Sequence, residues 1–146
     1  MSMANTLETQ ILALLFNNDA ITGVGDVSGI VGSAAAGSLY VSFHTGDPGE
    51  AGNQTTNESV YTSYARVAVA RTSSGWTVSG NTVVNAAAIT FPKCTGGAET
   101  LTHVGIGSAS SGAGKLLFSA ALASSIPVSN NVTPQIGSGD LSVAID

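Results

Sequence analysis

From Leu39 onward the chain alternates. Leu39, Val41 and Phe43 fall on one side of an extended backbone, with Tyr40, Ser42 and His44 on the other. That is the period-two signature of a strand with two unlike faces. Asp47-Pro48-Gly49 stops it, because proline presets φ and glycine accepts positive φ. The polar stretch Glu50 to Ser59 reads as a surface loop. Tyr61 to Thr72 reads as the next strand, with Ala65, Val67 and Val69 alternating against Tyr64, Arg66 and Ala68. Ser73-Ser74-Gly75 turns into Trp76-Thr77-Val78, and Gly80-Asn81 turns into Thr82 to Asn85. Ala88 to Phe91, Thr100 to Gly107 and Asp140 to Ile145 add further short extended runs. Lys115 to Leu122 reads as another strand, with a short helix as its alternative. Pro127 and Pro134 exclude central-strand positions around them.

Ahead of this pattern stands one segment of helical period. Leu7, Ile11, Leu14 and Leu15 share a stripe that Leu12 and Phe16 widen. Asn5 and Glu8 have capping-box spacing, and Asn17, Asn18 and Asp19 end the segment. So short a helix must lay its apolar face on something. Residues 20–38 are rich in Gly, Ala and Ser and read as irregular connection, of the kind that is functional, disordered or gripped by a partner. The expected class is all-β: an antiparallel two-sheet sandwich or jelly roll with an N-terminal amphipathic helix. No helical crossovers separate the strands, which disfavours a parallel α/β fold. Residues 1–38 are expected to form a helix and Gly/Ala-rich arm, and residues 39–146 the β-sandwich domain. No internal repeat is visible.

Composition sharpens the picture. Only 9% of the 146 residues are charged, hydrophobic residues make up 43%, and the mean hydropathy is +0.31. An average soluble domain carries about 25% charge, so a surface partly covered by neighbouring subunits is expected. The only cations are Arg66, Arg71, Lys93 and Lys115, against nine acids, a net charge of −5. No basic stripe can form to displace counterions from phosphate, so nucleic acid is not an expected partner. No apolar run reaches the roughly 18 residues of a membrane-spanning helix, and Glu8, Thr9 and Gln10 interrupt the first apolar segment, unlike a secretory signal. A soluble product made in a cytoplasm is expected, with no membrane partner.

Candidate chemistry is sparse. Gly107-Ser108-Ala109-Ser110-Ser111-Gly112-Ala113-Gly114-Lys115 suggests a phosphate loop, but alanine stands at 109 and leucine at 116, where that motif needs glycine and a hydroxyl. A turn between two strands accounts for it better. No Gly-x-Ser-x-Gly elbow occurs. His44 and His103 could pair with Asp47, Glu50 or Glu99 as metal ligands or acid/base groups. Two histidines without a converging set fit better as one strand residue and one turn residue bonded to backbone. Cys94, the only cysteine, is expected to be a partly exposed loop thiol without a role. Asn53-Gln54-Thr55, Asn57-Glu58-Ser59 and Asn131-Val132-Thr133 match the glycosylation pattern without an accompanying secretion signal. Trp76, Tyr61, Tyr64 and Phe91 could line a sugar site, yet aromatics on period-two strands are usually core. The expectation is therefore a non-enzyme with no catalytic residue, no cofactor and no metal.

Several linked segments carry a resemblance. Leu39-Tyr40-Val41-Ser42-Phe43-His44-Thr45-Gly46-Asp47-Pro48-Gly49-Glu50-Ala51-Gly52 resembles the "LYVxLHTxDPGExG" segment of a family of small tailed-phage virion proteins. Position 43 is Phe where the pattern commonly has Leu, a core-compatible change. The likeness continues through Tyr64-Ala65-Arg66-Val67-Ala68-Val69, Trp76-Thr77-Val78 and Asn85-Ala86-Ala87-Ala88-Ile89-Thr90-Phe91-Pro92. It extends to Thr102-His103-Val104-Gly105-Ile106-Gly107 and Ser111-Gly112-Ala113-Gly114-Lys115-Leu116-Leu117. Members are labelled capsid decoration (cement) or tail fibre proteins, so the resemblance implies a virion structural protein without catalytic residues. The first expectation is a cement on the outer surface of the head, bound to the major capsid protein and to copies of itself. A tail or fibre component among other tail proteins is the alternative, and a carbohydrate-binding module the third. Leu7, Ile11, Leu14, Leu15 and Phe16, with the loop that follows, are the candidate gripping arm, expected to be removable without unfolding the sandwich.

Overall fold

The alternating segments become strands, and the helical segment the one α-helix, in a computed structural model that describes residues 2–146. Helix α1 spans Asn5–Leu12 and continues through a π-helical turn, Ala13–Asn17. The strands are β1 Ser38–His44, β2 Val67–Ala70, β3 Trp76–Ser79, β4 Thr82–Asn85 and β5 Ile89–Thr90, then β6 Glu99–Gly107, β7 Leu116–Val128, β8 Gln135–Ile136 and β9 Ser142–Ala144. Among the described residues they form a four-stranded sheet in the order β2-β1-β6-β7, a three-stranded sheet β3-β4-β9 and a two-stranded ribbon β5-β8. The chain is all-β, with antiparallel sheets and one N-terminal helix, as its pattern predicts.

Contacts gather the chain into two units. One holds the chain up to Ser38 together with Val69–Ala88 and Ile136–Asp146, and the other Leu39–Ala68 with Ile89–Gln135. The N-terminal region therefore shares a unit with β3, β4 and β9 instead of standing apart as an arm. Leu12 and Phe16 are fully buried there, and Phe16 meets Trp76 edge to face, with ring centroids 4.9 Å apart at 66°. Such a pair adds about 0.5–1.5 kcal/mol beyond the area it buries. The buried stripe of the helix runs Glu8, Leu12, Phe16. The expected capping box does not form: Ala4 holds the cap position without a side-chain bond, and the Thr9 hydroxyl donates to the Asn5 carbonyl.

The other end of the helix is closed by side chains. Asn18 leaves it with φ of 63°. The Arg71 guanidinium donates to the carbonyls of Leu14 and Leu15, each at 2.7 Å, and to that of Ala36 at 3.1 Å. This places a cation on the orphan carbonyls and negative dipole end of the helix. The long connection is ordered by Asn18, which accepts from Ser33 N and donates to Ser33 O, each at 2.8 Å, and by reciprocal backbone bonds between Ile21 and Ile30. In the same unit Asn85 is fully buried, donating to Ala87 O and Gly137 O while accepting from Leu141 N.

In the second unit, β1 and β6 pair Val41 with Ile106 and Phe43 with Val104. Residues directly opposite share a face, so these four make one apolar surface. Phe91 covers Phe43 at 4.3 Å between ring centroids. Tyr61 to Arg66 departs from the expected strand: Tyr64 N bonds back to Tyr61 O and Ser63 takes φ of 80°, a turn that delays β2 until Val67. Strand β7 is an outer strand and runs beyond the expected end at Leu122, through Pro127 to Val128. An edge position tolerates the missing proline donor.

Candidate functional site

The second face of β1 is polar and yet buried. Ser42 and His44 are fully enclosed, and Gln54, from the stretch expected to be a surface loop, closes over them. Gly105 and Gly107 of β6 make room: an added Cβ would lie 2.7 Å from His44 Nε2 at Gly105 and 2.1 Å from the Gln54 side chain at Gly107. Glycine is needed at both positions because polar side chains occupy the space above the strand.

His44 Nδ1 lies 2.8 Å from the Thr56 carbonyl, which can only accept, so this nitrogen carries the proton. Burial holds the ring below its ordinary value of 6.5, outweighing the upward pull of the Thr56 bond and of Glu58. The neutral Nε2 is left to accept from the Ser42 hydroxyl at 2.9 Å. A serine–histidine pair of this kind needs an approach for a substrate, and both partners are fully buried.

Arg66 and Glu58 form the charged part of the layer. Nε and Nη2 of Arg66 reach the two carboxylate oxygens at 2.6 and 2.7 Å. The same guanidinium donates to Ala109 O and Gly112 O, each at 2.8 Å. Gln54 adds a second grip, accepting from Ala109 N at 2.9 Å. Together they fix the glycine- and serine-rich turn between β6 and β7. The Tyr64 hydroxyl accepts from Phe43 N at 3.0 Å and donates to Glu58 at 3.2 Å; burial, more than Glu58, raises its pKa well above the usual tyrosine range. Glu58, Ser59, Tyr64, Ala65, Arg66, Ser110, Ser111 and Gly112 line a shallow cleft.

The other candidates fall in separate places. His44 and His103 face each other across β1 and β6. Asp47 instead holds its own turn through Gly49 N at 2.8 Å, and Glu50 is exposed. Glu99 ties down the segment after β1, accepting from the Ser59 hydroxyl and from Val60 N and Tyr61 N. Tyr61 is pushed up to about 12 by burial first, then by Cys94 and Glu99. Among the described residues, no three His, Cys, Asp or Glu side chains converge on one point. Cys94, expected to be partly exposed, is fully buried, with Sγ 3.2 Å from Gly96 O. Trp76, Tyr61 and Phe91 are core residues.

Of the five proposed gripping residues, Phe16 is spent on Trp76, Ile11, Leu14 and Leu15 are half-buried, and Leu7 is exposed. The loop beyond holds four more exposed aliphatic side chains, Val24, Ile30 and Val31, with Val27 at 96%, and Val60, between β1 and β2, is exposed as well. The loop belongs to the expected arm, but its individual side chains could not be singled out, because a short Gly- and Ser-rich segment has no period to reveal which of them face out.

Residues 2–144 match the family model of the podophage GP4 fiber I protein gp80. The chain belongs to this family. Membership of the gp80 fibre family makes it a structural protein of a phage virion, in line with the resemblance read from its segments. No curated protein matches the sequence. Among the described residues of this gp80-family chain, no helix is long and apolar enough to cross a membrane.

Proposed function

We propose that this chain is a non-enzymatic structural component of the fibre of a short-tailed phage, held in place by contacts with neighbouring virion proteins. The observation that carries the proposal is the match to a podophage fibre protein family over residues 2–144. The structure supports it in kind: buried polar groups are spent on bracing loops, and the exposed aliphatic loop of Val24, Val27, Ile30 and Val31 offers apolar surface to a neighbour. A second reading, decoration of the head through the major capsid protein, draws on the scarcity of charge and on the lack of repeats or heptads of the kind a fibre shaft carries.

Immunogold labelling of intact particles tests the choice, combined with copy number from quantitative mass spectrometry. Label confined to the tail, at low copy, is the expected result. Label spread over the head at high copy would overturn the fibre assignment in favour of decoration.

A further inference from the structure

Val24, Val27, Ile30 and Val31 put four aliphatic side chains in water within one short loop, with Val27 all but free of the protein. The loop is nevertheless held in shape. Reciprocal backbone bonds between Ile21 and Ile30, each at 2.9 Å, close its base. Asp26 folds its tip, accepting through Oδ1 from Ser28 N at 2.8 Å and from Gly29 N at 3.0 Å. Gly29 takes φ of 66°, and a Cβ there would lie 2.0 Å from the Ile21 carbonyl oxygen. Apolar surface already fixed in place loses little conformational entropy when a partner covers it. The charge around it has one sign. No lysine or arginine occurs before Arg66, and residues 17–38 carry Asp19 and Asp26, both exposed. The whole unit sets Glu8, Asp19, Asp26, Asp140 and Asp146 against Arg71. That guanidinium is spent on the carbonyls of Leu14, Leu15 and Ala36. Among the described residues neither loop aspartate forms an ion pair.

We propose that this loop docks as a knob into an apolar socket of a different virion protein, a socket rimmed by lysine or arginine. Val27, the most exposed of the four, enters the socket, and Val24, Ile30 and Val31 cover its margin. Asp19 and Asp26 set the charge of the partner: their carboxylates have no cation within the chain and favour one outside it. Two copies meeting loop to loop would bring aspartate to aspartate, which costs free energy where a basic rim gains it. An anionic lipid surface is disfavoured for the same reason. The inference rests on the reading that neighbouring virion proteins hold the chain in place, and adds the chemistry of one such neighbour. It does not depend on whether that neighbour belongs to the tail or to the head.

Intact particles test it. With Val27 replaced by the photo-crosslinker benzoylphenylalanine, irradiation should join the chain to another virion protein. Mass spectrometry should place the link in a segment with lysine or arginine beside aliphatic residues. Particles made with Val27→Ser should retain about tenfold fewer copies of the chain through a salt wash, the weight of one buried valine. Asp19→Asn together with Asp26→Asn should lower retention about threefold, as rim charges do. Asparagine at 26 can still accept from the amides of Ser28 and Gly29, so the loop keeps its shape. Emission of Trp76, which shares the unit, checks the folding of each purified variant. A link to a second copy or to an acidic segment, the absence of any link, or full retention of either variant would overturn the proposal. Binding of the purified chain to phosphatidylcholine vesicles, lost in Val27→Ser, would overturn it too and assign the loop to a lipid surface. A chain missing from wild-type particles would refute the reading beneath the proposal, whereas a chain present and indifferent to these changes refutes the docking alone.

Discussion

Arg66 makes four bonds where its side chain is 2% exposed, two to Glu58 and two to backbone carbonyls of the 109–112 turn. A buried pair of this kind adds little over a well-packed apolar pair, but removing one partner strands the other. Arg66→Ala leaves Glu58 without its counter-ion and two carbonyls without donors, so a loss of about 3–5 kcal/mol is expected in urea unfolding. Arg66→Lys should recover little of it, because a point charge cannot repeat the fork. A loss under about 1 kcal/mol for Arg66→Ala would show that water screens the pair as on a surface. His44 supplies the pH dependence. The unfolded chain takes up its proton near 6.5, the folded chain only at lower pH. Between those values the unfolded state binds more protons, so this contribution is whole above 6.5 and shrinks as pH falls toward the folded value. Unfolding midpoints compared at about pH 7.5 and about pH 5.5 should drop in the wild type and drop less in His44→Asn. An equal drop in both would assign the slope to other groups.

Arg71 works on whole elements. Its bonds to Leu14 O and Leu15 O close the helix, while those to Ala36 O and Ser33 Oγ fasten the long connection to the same point. Arg71→Ala should lower stability by about 2 kcal/mol, the cost of stranding several partly buried acceptors. Amide exchange should quicken in both the π-helical turn and residues 33–36; quickening in only one of them would break the proposed link. Elements with a strong period, β1, β3, β4 and β6, were legible in the sequence, since one face of each meets a packed neighbour. The polar layer was not. Gln54 and Glu58 belong to a stretch whose composition suggests water, and Arg66 to one read as a strand; only the fold brings Gln54 over Gly107 and pairs Glu58 with Arg66. The helix shows the same limit: its strongest apolar stripe, Leu7, Ile11 and Leu14, is not the one that is buried. The π-helical turn inserts a residue and helps set Phe16, four after Leu12, against Trp76.

For the molecule as a whole, the decisive fact is that neither unit is a continuous piece of chain. The backbone passes between them at residues 38–39, 68–69, 88–89 and 135–136. A truncation lacking residues 1–38 therefore removes Leu12 and Phe16 from the unit that contains Trp76, and does more than detach an arm. Burial of one phenylalanine alone is worth about 3–5 kcal/mol against alanine, enough to unfold what remains of that unit. The other unit keeps β1, β6, β7 and the Arg66 layer, and its two segments stay joined through residues 69–88. A disordered loop of that length costs little more than a short one, since closure entropy grows only with the logarithm of length. The spectroscopic probes are already sorted: Trp76, the only tryptophan, reports one unit, while Tyr61 and Tyr64 report the other. In the truncated chain tryptophan emission should shift to the red of the native spectrum, with near-ultraviolet tyrosine dichroism retained. A native tryptophan spectrum would show that the helix is a separable arm after all. Loss of both signals would show that the second unit needs the first, and that the chain has no part able to fold alone.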